Sequence, residues 1–176
     1  LVNGPASYDW SAMEQHLATI ARRGHQAVLR IQLDTPGETT GIPQYLLDGG
    51  LKTYRYSDYG NKGKSLLPDW NDPKLMQALT SFISAFGARY DGDARIGFIT
   101  AGLYGFWGEW HTYPLTNREM NETNRSQLMS AYQLAFKKTQ IQLRVPASSN
   151  ATLLRQFGYH DDMFADSTLG PDAWHF

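Results

Sequence analysis

Three observations predict an α/β fold built on parallel strands. Short apolar, β-branched runs of strand length alternate with longer segments of helical period. Glycine and proline bound the runs, and after an opening helix the order reads β-α-β-α-β-α-β. No repeat, linker or low-complexity segment divides residues 1–176, so a single domain is expected. Parallel strands joined by right-handed crossovers make either a doubly wound open sheet or part of an eight-fold barrel. Neither G-x-G-x-x-G nor G-x-x-x-x-G-K-[ST] follows any strand, which removes the main reason to prefer a nucleotide-binding sheet.

Taken in order, residues 9–23 read as an amphipathic helix with Trp10, Met13, Leu17 and Ile20 on one stripe, Asp9 or Ser11 placed to cap it and Gly24 ending it. Residues 26–33, with the core AVLRIQL, read as a buried strand bounded by Thr35-Pro36-Gly37. Residues 36–72 show little periodicity and are expected to form a long functional loop. Asp72-Pro73 opens a second helix carrying Leu75, Met76, Leu79, Phe82, Ile83 and Phe86, which ends near Tyr90-Asp91-Gly92. A second strand follows at 96–103, a third helix at about 124–139, a strand at 141–146, a short helix at 151–157 and a last strand at 163–166.

Sixteen basic and 17 acidic residues nearly cancel, and no basic stretch is present to track phosphates, so nucleic acid is not an expected partner. The lack of cysteine excludes disulfides, thiolate metal sites and thiol nucleophiles. No run of about 18 apolar residues is available to span a bilayer. Five tryptophans and ten tyrosines cluster in segments 54–70, 104–113 and 174–176, as in clefts where a flat pyranose face stacks on an aromatic ring.

The candidate catalytic residue is Glu109, just beyond a predicted buried strand, at the end where parallel α/β folds gather their active sites. Phe106, Trp107, Trp110 and Tyr113 surround it in sequence. A carboxyl pressed against indole rings loses hydration of its charged form, which suits a proton donor. The bland alternative is a carboxylate that pairs with Arg30. If the segment is extended, His111 faces the same side as Glu109 and serves to bind a hydroxyl or orient the acid. The histidines lack metal-ligand spacing, so neither a metal nor another cofactor is expected. Arg30, Gln32 and Asp34 alternate with apolar residues, which puts them on one face towards a barrel axis or its mouth; an Arg30–carboxylate bridge is equally compatible. Trp70 offers a stacking platform and Asn71 a hydroxyl reader, although Asp72-Pro73 is also an ordinary helix start. Asp166, at the end of the last predicted strand, is a second candidate carboxylate, whereas Asp161 and Asp162 read as a surface turn.

WNDP, FGARYDGDARIGFI and above all GLYGFWGEWHTYP resemble the domain-of-unknown-function family 4832, a glycoside-hydrolase-like group, and more distantly clan A glycosidases. The resemblance covers roughly Tyr8 to Asp166 and implies a TIM (β/α)8 barrel. A full barrel takes about 250 residues, so the chain is expected to be a partial barrel of about four central β/α units. By the same resemblance Glu109 is similar to the acid/base glutamate, and the nucleophilic carboxylate is expected beyond Phe176. Gly108 stands where clan A has an asparagine. The implied activity is hydrolysis of O-glycosidic bonds in oligo- or polysaccharide, with Trp107, Trp110, His111, Trp70, Asn71, Arg30, Asp34 and Asp166 binding the carbohydrate and an extracellular or secreted location. The alternative is a non-catalytic carbohydrate-binding barrel in which Glu109 only hydrogen-bonds sugar hydroxyls.

Overall fold

A computed structural model describes residues 1–162. The chain opens with a small antiparallel hairpin, β1 (Val2–Gly4) and β2 (Ser7–Tyr8), and enters α1 (Ser11–Ala21). The Asp9 carboxylate accepts from Ser11 N–H at 2.9 Å, beside the helix start. Leu17 is fully buried, and Trp10 stacks on Phe86 at 5.9 Å and meets Tyr90 edge-on at 5.4 Å, which fixes α1 against the later long helix.

The first strand of the main sheet, β3 (Ala27–Arg30), is shorter than the apolar run that predicts it. Beyond Arg30 the chain leaves the ladder, apart from an isolated parallel bridge between Asp34 and Phe106. Residues 36–72 are not the irregular loop expected. They contain α2 (Gln44–Asp48) and an antiparallel ribbon, β4 (Thr53–Arg55) with β5 (Leu66–Pro68). The segment holds its shape because Asn61, fully buried, replaces a ladder with its amide. Its Nδ2 donates to Tyr56 O and Ser65 O, both at 3.0 Å, while its Oδ1 accepts from Ser65 N–H and Gly37 N–H.

α3 (Pro73–Tyr90) begins as its sequence dictates: Asp72 Oδ1 accepts from Lys74 N–H at 2.8 Å, and Pro73 occupies the first turn, where a missing N–H costs nothing. Its predicted stripe is buried throughout, from Leu75 to Phe86. β6 (Ile96–Thr100) follows, then α4 (Glu122–Ala135), capped by the Asn121 side chain. α4 stops four residues before the predicted end because the Asp91 carboxylate accepts from the N–H groups of Lys137, Lys138 and Thr139 and draws the chain into a turn. β7 (Gln140–Leu143), α5 (Ala151–Leu154) and β8 (Gly158–Tyr159) complete the described chain. β8 falls in the connection expected after the short helix at 151–157; the strand predicted at 163–166 lies outside the described residues.

The sheet order is β3-β6-β7-β8, all parallel and in chain order, so the reversal that marks a doubly wound sheet is absent among the described residues. Helices flank this sheet, with α3 and α4 packed on each other. Register aligns Leu29, Ile99 and Ile141 across one face, all of them in the hydrophobic core or packed against it. The opposite face aligns Val28, Phe98 and Gln140, and there Val28 is 62% and Phe98 41% exposed. Two apolar side chains in neighbouring strands thus stand uncovered, whereas parallel sheets are ordinarily covered on both faces. No helix among the described residues is long and apolar enough to cross a membrane.

Replacing Asp72 by alanine removes the α3 cap and is expected to lower the unfolding free energy by about 1 kcal/mol, while asparagine, which caps as well, restores most of it. Equal urea midpoints for the alanine and asparagine variants would show that the cap does not hold this helix.

Candidate functional site

The C-terminal ends of the parallel strands deliver charged side chains to one edge of the sheet. Arg30 ends β3, Glu109 lies in the loop after β6, Arg144 follows β7, and His160, Asp161 and Asp162 follow β8. Arg30 organises the group. Its Nη2 donates to Asp162 Oδ2 at 2.6 Å, and its Nη1 lies 3.9 Å from Glu109 Oε1. The same Nη2 sits 3.3 and 3.2 Å from the two ring nitrogens of His160, a position not in line with either lone pair; the closer contact of that ring is Nδ1 to Asp162 Oδ1 at 3.0 Å. Beside this group, Arg144, 3% exposed, pairs with Asp161 at 3.4 Å.

Glu109 reaches the cluster through the fold of its own loop. The segment is not extended. Consecutive turns are closed by Gly108 N–H to Gly105 O and Glu109 N–H to Phe106 O, and Phe106 N–H to His111 O and Trp110 N–H to Tyr104 O cross their base. Trp107 N–H donates to Asp34 O at 2.9 Å and anchors the loop to the chain leaving β3. Two glycines make this possible. Gly108 has φ +71°, and a Cβ there would collide with the backbone of Gly102, so the asparagine of clan A has no room. A Cβ on Gly102 would lie 2.6 Å from Arg30 Cγ, so its absence is what lets the arginine cross towards Glu109.

His111 and Glu109 do meet, with Nε2 3.5 Å from Oε2. Tyr113 N–H donates to His111 Nδ1 at 3.2 Å, so in the neutral ring the proton sits on Nε2 and points to the carboxylate. Burial opposes ionisation of Asp162, but the Arg30 hydrogen bond and charge, aided by His160, hold its carboxyl below the ordinary range. Burial, reinforced by Arg30 and Arg144 and countered by Asp162, pushes His160 below the usual imidazole range.

Several expected binding residues stand elsewhere. Trp70 is fully buried, its ring edge-on to Tyr104 at 5.1 Å, and cannot serve as a platform. Trp110, with φ +65°, turns into the core, where its Nε1–H donates to Ala101 O at 2.6 Å, so Glu109 is bordered by charged groups on that side and not by an indole. Asn71 joins the starts of α3 and α4, donating to Glu119 O and accepting from Asn121 N–H. Asp34 is fully buried; its Oδ1 accepts from Tyr56 Oη–H at 2.6 Å and Ser65 Oγ–H at 2.5 Å, and burial still raises its carboxyl above the usual range. It cannot touch a substrate, and it shares no face with Arg30 because β3 ends before it. Asp166 lies outside the described residues.

Trp107 stays partly exposed and meets Tyr59 edge-on at 4.8 Å. Tyr59 is a site residue that the sequence does not single out, nor does it single out His160, and Asp162, expected in a surface turn, joins the cluster instead. The signal for the last two is the run His160-Asp161-Asp162 directly after Gly158-Tyr159, which a surface turn explains equally well. Among the described residues, no group of three His, Asp or Glu side chains is placed to hold a metal ion. Comparison with family models, curated proteins and solved structures found no match to this chain.

Two outcomes follow from this packing. Gly108→Asn is expected to lower stability by more than about 1 kcal/mol, since it adds both a clash and a left-handed side-chain residue; an unchanged urea midpoint would refute the close approach. Asp162 ionises more readily folded than unfolded, so its stabilisation is complete above the ordinary value of 3.8 and is lost as pH falls through the lower folded value. His160 binds its proton less readily folded, so stability declines as pH falls below the ordinary 6.5 towards the folded value. Plots of urea midpoint against pH should therefore flatten below 3.8 in Asp162→Asn and just below 6.5 in His160→Gln, and unaltered limbs would contradict these assignments.

Proposed function

We propose that this chain is the central part of a (β/α)8-type barrel of the glycoside-hydrolase-like family 4832, and that Glu109 acts as general acid/base in the hydrolysis of O-glycosidic bonds. The observation that carries the reading is the convergence of Arg30, Glu109, His160 and Asp162 from the ends of different parallel strands, since barrel enzymes assemble their catalytic groups at that edge. The chain-order sheet with one face left open at Val28 and Phe98 supports closure by further strands.

In this reading the 24% exposed Glu109 side chain delivers a proton to the leaving glycosidic oxygen and recovers it from water. His111 Nε2 flanks the carboxyl at 3.5 Å, and Trp107 bears on the sugar. A secreted protein acting on oligo- or polysaccharide fits this chemistry.

Binding without turnover is the second reading, and one observation favours it. Asp162, the carboxylate that shares Arg30 with Glu109, is tied to that arginine at 2.6 Å, which opposes a role as nucleophile or base. Under that reading Glu109 only accepts hydrogen bonds from hydroxyls.

Hydrolysis of glycosides by the intact protein is expected to fall by about 10²–10⁴-fold in Glu109→Gln, with stability little changed. Full activity in that variant would remove Glu109 from the mechanism, and sugar binding without any hydrolysis by the wild type would select the second reading.

A further inference from the structure

Beside Glu109, two connections that are far apart in sequence bring aromatic rings together at the surface. Tyr59, between β4 and β5, is 45% exposed, and Tyr113 is 65% exposed. The Tyr59 ring lies edge-on to Trp107 at 4.8 Å and to Phe106 at 5.6 Å, and its hydroxyl donates to Tyr113 O at 2.7 Å. Phe106 in turn meets the edge of the His111 ring at 6.2 Å. The rings of Tyr59, Trp107, Phe106 and His111 are therefore contiguous.

The backbone also spends energy to present them. Tyr59 has φ +53° and Trp107 φ +52°, a left-handed conformation unfavourable for aromatic residues and one that persists only where surrounding contacts enforce it. Here those contacts include the packing of the Tyr59 ring on Phe106 and Trp107 on one side and Trp107 N–H to Asp34 O on the other. A protein core would have covered such rings; these stay in water next to a carboxylate and an imidazole.

We propose that Tyr59 and Trp107 form a stacking subsite for a neutral pyranose, adjoining Glu109 and His111. The assignment rests on the carbohydrate reading of Glu109 and deepens it by naming the substrate class. A sugar ring offers an apolar face to aromatic rings and hydroxyls to groups at their edge, which is the combination found here. The charge selects further. Asp58, the chain neighbour of Tyr59, and Glu109, two residues from Trp107, put carboxylates beside the rings, so the patch disfavours uronic acids. Arg30 does not relieve this, because its guanidinium is engaged by Asp162 and Glu109.

The test uses the whole chain and a panel of tetrasaccharides from glucan, xylan, mannan and galactan, with tetragalacturonate as the anionic comparison, followed by tryptophan fluorescence. At least one neutral tetrasaccharide is expected to perturb the emission of the wild type and not of Trp107→Phe. Tyr59→Ala is expected to weaken that binding about tenfold, whereas Tyr59→Phe, which keeps the ring, stays within a few fold. No response to any neutral member up to about 10 mM, preference for tetragalacturonate, or equal binding by Tyr59→Ala overturns the subsite. The two readings fail separately. Loss of hydrolysis in Glu109→Gln with unaltered KM and kcat in Tyr59→Ala refutes the subsite alone. Binding that depends on Tyr59 in a wild type without hydrolytic activity upholds the subsite and refutes catalysis.

Discussion

The Arg30 guanidinium brings a permanent charge to a side chain only 22% exposed at the end of β3, and such a charge requires anions close by. That requirement organises the strand ends. Asp162 supplies the short contact, Glu109 the longer one, and His160 lies against the same nitrogen while bonding Asp162. Truncating the arginine would leave two carboxyl groups facing each other with no cation between them. The loop that carries Glu109 is shaped accordingly: Gly102 lets the arginine pass, and Gly108 lets the turn close over Gly102.

Where an element depends on nearby residues, the sequence shows it. The α3 start is written in Asp72-Pro73 and its buried stripe in the spacing from Leu75 to Phe86. α4 runs short because its end is set by Asp91, whose carboxylate collects three backbone N–H groups from 46–48 residues away. The β4–β5 ribbon is hidden for a similar reason: it is held by one buried amide, Asn61, and not by a hydrophobic period. β8, at two residues, is too short for any pattern to announce.

Within the site, Glu109, Arg30 and His111 are legible because they lie at or just after the ends of apolar runs, and the Arg30–Glu109 pairing is among the alternatives the residues allow. The direction of a side chain is not legible in the same way. Trp107 and Trp110 are three residues apart in one loop, and left-handed backbone at both sends one to the surface and the other into the core. Trp70 and Asn71 look like substrate contacts only until Tyr104 is seen packed on the indole and Glu119 and Asn121 are seen bonded to the amide.

The bond from Arg30 to Asp162 joins residues 132 positions apart. A contact of such long range depends on the pairing of β3, β6, β7 and β8, which brings its two ends together. It also hangs on β8, a strand of two residues that pairs with β7 alone among the described strands. Detachment of so short an element costs far less than global unfolding, so the charged cluster can come apart while the helices and the other strands stay intact. Assembly of the charged cluster therefore depends on β8 staying docked on β7.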